Sequence, residues 1–266
     1  QVAFEEYVAQ WEGAKPLIPT LNMALDDLLN NVVQYAFPND PKEHLIEVDG
    51  EVRNEYVVIT ITDDGIPFNP LTAAPPDLSL LLHEREIGGL GIHLVRSLFD
   101  EVLYHRNVGR NVLTVKKKLV SELTRPGSPA KRPRISTDEV RKRSPAFSVT
   151  PIGEGRHVAC SRRGAVVIVT PRDRFDTNSA PEVERMLLDL IEGGERRIVL
   201  DLSHISYISS IGLRVILKVG MIMTETGGRL VLSGGNEHIC TVLQLSGALM
   251  ITLHVPTLDE ACSQIQ

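Results

Sequence analysis

A chain of 266 residues with 42% hydrophobic and 23% charged content has room for two ordinary domains with separate cores, and its composition excludes a disordered or low-complexity protein. No run approaches the length of a membrane-spanning helix and no signal peptide is visible, which argues against a membrane or secreted protein. The net charge of −6 conceals an asymmetry. Lys and Arg number 7 against 18 Asp and Glu over residues 1–115, 10 against 3 over 116–145, and 11 against 13 over 146–266. An acidic first region is thus tied by a basic strap to a near-neutral second region. Three cysteines (Cys160, Cys240, Cys262) lack the CxxC spacing of a metal site, so idle thiols in a reducing cytoplasm are expected. The chain opens on Gln1 rather than Met, so a preceding segment is expected to be missing.

The first strong element is "LIPTLNMALDDLLNNVVQYAF" (17–37), an amphipathic helix with Leu21, Leu25, Leu28, Val32 and Tyr35 near one face. Inside it Asp26/Asn30 and Asp27/Asn31 have the i,i+4 spacing that brings side chains together. A carboxylate beside an amide oxygen suits a hydrated Mg²⁺ or a proton transfer, although a plain polar face gives the same cluster. "EYVVITITDDGIPFNP" (55–70) alternates like a strand and breaks at Asp63-Asp64-Gly65. A carboxylate at a strand end, followed by glycine, can accept an exocyclic N–H from a base lying against the backbone. "EREIGGLGIHLVRSLFDEV" (84–102) places Gly88, Gly89 and Gly91 before a helical pattern, a physical phosphate cradle. Its spacing fits neither a dinucleotide fingerprint nor a P-loop. A last strand, "RNVLTVKKKL" (110–119), closes the region.

Taken in this order, "ALDDLLNNVVQYAF", "DDGIPFNP", "REIGGLGIHLVRSLFDEV" and "GRNVLTV" resemble the GHKL ATPase fold in its bacterial anti-sigma-factor serine-kinase branch, over roughly residues 17–118. The resemblance implies ATP with Mg²⁺. It makes Asn31 the Mg²⁺ ligand, Asp63 the adenine-reading carboxylate and Gly65 the glycine that follows it. Gly88, Gly89 and Gly91 become the glycines of the ATP lid, and Arg85 a phosphate contact. The Tyr35-Ala36-Phe37 tail sets this register over Asp26/Asn30. Where the family carries a catalytic glutamate this chain has Asp27, shorter by roughly 1.5 Å, a misplacement that costs on the order of 100-fold in rate. Histidine-kinase activity is disfavoured, since no paired helices carrying a phosphoacceptor His precede the domain.

The strap, residues 119–156, is rich in Pro, Ser and basic residues and reads as a linker. "KRPR" matches a nucleic-acid patch only weakly and has no interleaved aromatics for base stacking, so docking on the acidic region is at least as good a reading. Beyond it the pattern runs β, α, β, α, β, α, β, α, a mixed or parallel sheet covered by helices, with "RRIVLDLSHISYI" (196–208) as a buried strand. In "HISYISSIGLRVIL" (204–217) the strand turns into a helix at Ser209-Ser210. Serine there caps the helix or, as an exposed hydroxyl, accepts a phosphate. Spacing alone leaves both open.

"IVLDLSHISYISSIGLRVIL", "GGRLVLSG" and "VLQLSG" resemble a STAS domain of the anti-sigma-factor antagonist type. That resemblance implies a phosphoacceptor just before Gly212-Leu213, which is Ser210, with Ser209 as second choice.

The expected architecture is therefore α+β and α/β: a two-layer GHKL sandwich (1–118), a linker (119–156), and a STAS domain (157–266) with a mixed sheet covered by helices. The resemblances imply a cytoplasmic partner-switching regulator, a serine kinase acting on its own STAS domain or a partner's. The alternative is a nucleotide-binding protein without turnover that controls docking. A third reading makes the STAS domain the substrate of an outside kinase. The implied partners are a sigma factor or other regulatory protein, STAS or kinase-like domains, and a second copy of the chain; neither membrane nor nucleic acid is expected.

Overall fold

A computed structural model describes residues 2–11, 13–38, 42–72, 89–119 and 150–265. The chain divides into two compact units, Gln1–Ser121 and Glu122–Gln266.

In the first unit, α1 (Val2–Val8) and α2 (Ile18–Tyr35) precede β1 (Ile46–Arg53) and β2 (Tyr56–Asp63). Then come α3 (Leu90–Leu98), β3 (Glu101–Asn107) and β4 (Arg110–Lys118). The antiparallel sheet has the order β1-β2-β4-β3. Along β2, Val57, Ile59, Ile61 and Asp63 are buried, while the residues between them are only half-covered. This period-2 pattern gives the sheet one core face and one outer face. Each fully buried aliphatic side chain contributes roughly 1.5–3 kcal/mol relative to leaving it in water. Leu21, Leu25 and Leu28 of α2 are buried as expected. Tyr35, placed on the same stripe, is instead 57% exposed, because the last turn of α2 borders a cavity rather than the core. Tyr7 and Trp11, which the periodicity did not single out, meet edge-on with centroids 5.1 Å apart. A Cβ on Gly50 of β1 would come 3.0 Å from Trp11 Cη2, so the absence of a side chain there admits the indole.

The second unit opens with β5 (Thr150–Glu154), β6 (Val158–Arg163), β7 (Val166–Pro171) and β8 (Asp173–Phe175). It continues through α4 (Ala180–Glu192), β9 (Arg197–Asp201), β10 (Ile205–Ile208) and α5 (Ser210–Glu225). β11 (Arg229–Ser233), α6 (Glu237–Leu245), β12 (Leu253–Val255) and α7 (Leu258–Gln264) complete it. The main sheet has the order β12-β11-β9-β7-β6-β5, parallel from β12 to β7 and antiparallel at β6 and β5. It is the mixed sheet that the alternation predicted. β5 pairs with β6, so the sheet takes in residues 150–154, part of the stretch expected to be linker. Val166, Ile168, Val199 and Val231 pack with Ala261, Cys262 and Ile265 on one face. Val167, Val169, Leu200 and Leu232 are buried on the other, as expected for strands covered on both sides.

The single strand expected over 196–208 is two. β9 joins the main sheet, whereas β10 pairs in parallel with β8 as a separate ribbon. The break falls where Asp201 Oδ1 accepts the Ser203 amide (3.1 Å), a side chain-to-backbone turn that competes with strand continuation.

Candidate functional site

Residues of α2, β2, α3, β3 and β4 converge on one part-open cavity in the first unit. Leu28, Val32, Ile61 and Leu113 supply apolar wall, and Asn31, Asp63 and Asn111 supply the polar groups. This mixture suits a flat heteroaromatic ring that needs a few directed hydrogen bonds.

Asp63 ends β2 and is 5% exposed. Its Oδ1 accepts from the Gly65 amide at 2.9 Å and from Asn111 Nδ2 at 2.8 Å. Gly65 is required by close approach. A Cβ there would lie 2.5 Å from Ala36 Cβ and 2.6 Å from Ala36 O, at the end of α2. The Ile66 amide donates to that same Ala36 carbonyl (2.9 Å), so the turn after Asp63 is tied to the helix carrying Asn31. Asn31 itself is half-buried on the cavity wall.

Gly89 has φ +94 at the N-cap of α3, a left-handed conformation that glycine adopts without a Cβ penalty. Two residues on, a Cβ on Gly91 would meet Asp27 Cγ at 2.7 Å. The 5%-exposed Asp27 carboxylate thus sits against the first turn of α3, one helical turn from Asn31. Gly88 and Arg85 lie outside the described residues. Asp27, Asn31, Asp63, Gly65 and Gly91 are therefore brought together around the junction of α2, α3 and β2.

Asn111 was not singled out from the sequence. In "GRNVLTV" it reads as one more strand residue, and its role appears only through cross-strand register with Asp63, 48 positions earlier.

In the second unit Ser209 is the N-cap of α5, with φ −93, ψ 171 and its Oγ accepting from the Gly212 amide at 3.3 Å. Ser210 is the first helical residue. The capping role therefore belongs to Ser209. Both serines are 2% exposed, which corrects the expectation of an exposed hydroxyl. The reason is β8: its Phe175 carbonyl accepts the Ser209 amide at 3.0 Å and folds over the turn. A Cβ on Gly212 would lie 2.5 Å from that same carbonyl oxygen.

Among the described residues no cluster of three or more His, Cys, Asp or Glu forms a metal cage, and no helix is long and apolar enough to cross a membrane. Burial raises the thiol pKa of Cys160, Cys240 and Cys262, which makes them poor nucleophiles.

Comparison with known proteins accords with this division. Residues 1–117 match the histidine kinase-like ATPase domain, and residues 157–261 match the STAS domain. The serine/threonine-protein kinase BtrW of Bordetella bronchiseptica is 34% identical over 97 residues, spanning 36% of this chain and 67% of that protein. BtrV of the same organism, named for an anti-sigma factor antagonist, is 42% identical over 73 residues, spanning 27% of this chain and 63% of that protein. A crystal structure of an anti-sigma factor antagonist from Mycobacterium paratuberculosis covers 46% of this chain and 97% of its own, at 20% identity and a TM-score of 0.38. The chain belongs to the histidine kinase-like ATPases through its first unit and carries a STAS domain as its second.

Proposed function

We propose that this chain is a cytoplasmic partner-switching regulator whose first unit binds Mg-ATP and phosphorylates the serine of a STAS domain, its own or a partner's. The observation that carries the reading is the convergence of Asn31 and Asp63 on one cavity, with the Asp27–Gly91 contact one helical turn from Asn31. In this reading Asp63 reads the base and the N-terminus of α3 faces the phosphates. Asn31 offers one amide oxygen, about the number of protein ligands that a phosphate-bound Mg²⁺ takes. Bound there, Mg²⁺ neutralises charge on the phosphate oxygens.

Asp27 orients the acceptor hydroxyl and takes its proton. The serine Oγ forms a bond to the γ-phosphorus, the bond to the β–γ bridging oxygen breaks, and ADP leaves with that electron pair. Ser210 is the proposed acceptor, reached within the chain or across a homodimer. A phosphate adds roughly −1.5 to −2 charges. That gain would repel an acidic face such as the first region, with its 18 Asp and Glu, and so release a sigma factor or other regulatory partner. Nothing in this scheme calls for nucleic acid or a membrane.

One observation favours a second reading. Asp27 is short, buried and packed on Gly91, so the first unit could bind nucleotide and govern docking without turnover. Intact-mass and peptide mass spectrometry after incubation with Mg-ATP separates the two. One phosphate on Ser210, absent in Ser210→Ala and Asp27→Asn, is the expected result. ATP binding with no phosphate overturns the kinase reading and leaves nucleotide-controlled docking. Phosphate that appears only when a separate kinase is added assigns the STAS domain to an outside enzyme.

A further inference from the structure

Asp63, Asn111 and Arg106 form one row across three strands. Asp63 pairs with Asn111 between β2 and β4, and Asn111 pairs with Arg106 between β4 and β3. Directly opposed residues in an antiparallel sheet share a face, so the three side chains meet. Asn111 is buried. Its Oδ1 accepts from Tyr104 OH at 2.8 Å and from Arg106 Nη1 at 2.7 Å. Its Nδ2 donates to Asp63 Oδ1 at 2.8 Å and to Ile66 O at 2.9 Å. Arg106 also donates to Gly65 O at 3.2 Å, which ties the row to the turn after Asp63.

The two ends of an amide are alike in shape, so partners decide which way it points. Arginine has donors only, and an ionised carboxylate has acceptors only. Flipping Asn111 would set N–H against guanidinium and carbonyl against carboxylate, losing the bonds to Arg106, Asp63 and Ile66 and leaving only Tyr104 OH, which accepts as well as donates, able to adapt. One orientation remains. Its consequence falls on Asp63, where the Gly65 and Asn111 donors both land on Oδ1. Among the described residues no hydrogen bond reaches Oδ2, and Asp63 lines the cavity.

Resting on the reading that this cavity takes the base of a nucleotide, we propose that Asn111, locked by Arg106 and Tyr104, is a positioning residue. It fixes which atom of residue 63 faces the cavity, and so selects a purine bearing an exocyclic amine over one bearing an oxo group at the same place. An acceptor-only atom aimed at an oxo group leaves both unpaired, a mismatch that sites built on buried hydrogen bonds reject strongly.

The test is calorimetric measurement of Kd for Mg-ADP and Mg-IDP, which differ at that position, on the full chain and its variants. Wild type is expected to favour ADP on the order of 10- to 100-fold. In Asp63→Asn the donors from Gly65 and Asn111 hold the new amide by its oxygen and turn its NH₂ into the cavity. The preference inverts towards IDP. Adding Asn111→Asp removes the donor at 111, the amide of residue 63 turns over, and ADP is preferred again. Inversion followed by reversal supports the assignment; a purely structural role would weaken both nucleotides alike.

An Asp63→Asn chain that still prefers ADP overturns the proposal, as does one that melts like wild type yet binds neither nucleotide. If Asp63→Asn does not fold, Arg106→Leu serves instead. With that lock gone the ADP:IDP ratio falls towards one, and an unchanged ratio overturns the proposal. A wild-type chain that binds neither nucleotide removes this inference and the nucleotide reading together. Binding of ADP without phosphate transfer removes the kinase reading alone.

Discussion

Gly91 approaches Asp27 so closely that a Cβ on the glycine would lie 2.7 Å from the carboxylate carbon and 3.0 Å from Asp27 Cβ. The second contact is with the root of the side chain, so rotating the carboxylate does not relieve it. Gly91→Ala therefore pushes α2 and α3 apart. Overpacking of this kind costs about 1–3 kcal/mol. The expected outcome is a lower urea midpoint for the first unit, together with weaker ATP binding as Asn31 and Asp63 lose their register. An unchanged midpoint would show that the helices yield freely. Asp27→Glu adds a methylene to the same contact and is expected to destabilise in the same direction.

Ser209 and Ser210 separate by experiment. Ser209→Ala removes the hydroxyl that accepts from the Gly212 amide, and loss of such a cap costs about 1 kcal/mol. Peptide mapping of the Ser209→Ala chain after incubation with Mg-ATP is expected to find phosphate still on Ser210. Disappearance of phosphate from a folded Ser209→Ala chain would transfer the acceptor role to Ser209.

Gly212→Ala tests the cover over the Ser209–Ser210 turn. The added methyl would sit 2.5 Å from Phe175 O, a backbone atom with little freedom to withdraw. A destabilisation of about 1–3 kcal/mol is expected, with the β8–β10 ribbon loosened. Amide exchange should then speed up at Ser209, whose N–H bonds Phe175 O, more than at the β7–β9 pairs of the main sheet. Equal protection in both places would count against Phe175 as the cover.

His238, in the first turn of α6, has its pKa lowered by burial from 6.5 to about 4. Among the described residues its Nε2 meets no hydrogen-bond partner. Because the folded pKa lies below the unfolded one, the unfolded chain takes up the proton first as pH falls. The contribution of neutral His238 is complete above about pH 6.5 and is lost as pH drops towards 4. His238→Gln removes this titration. Urea unfolding at pH 7 and pH 4.5 is expected to show a larger loss for wild type than for the variant, and equal losses would place His238 in water.

Much was legible in the sequence because it is written locally. The apolar spacing of α2, the Asp63-x-Gly65 break after β2, the glycines before α3 and the strand–helix alternation of the second unit each depend on residues a few positions apart. There, helical and pleated periods act directly. Tyr35 shows the limit of that reasoning, since a periodic stripe gives a direction but not what lies in that direction.

Other features depended on pairing between distant segments. Asn111 joins the site through its register opposite Asp63, and Arg106 through its register opposite Asn111. The serine turn is buried because β8 closes beside β10, which itself exists because the strand predicted over 196–208 breaks after Asp201. The sequence by itself determined the two-domain plan, the polar residues that α2 and the turn after β2 carry, and the serines at the start of α5. Tertiary structure alone decided that one Asp63 oxygen takes both the Gly65 and the Asn111 donors, and that Ser209 rather than Ser210 caps the helix. Hydrogen bonds across strands are set by register, and register is a property of the whole sheet rather than of any one segment.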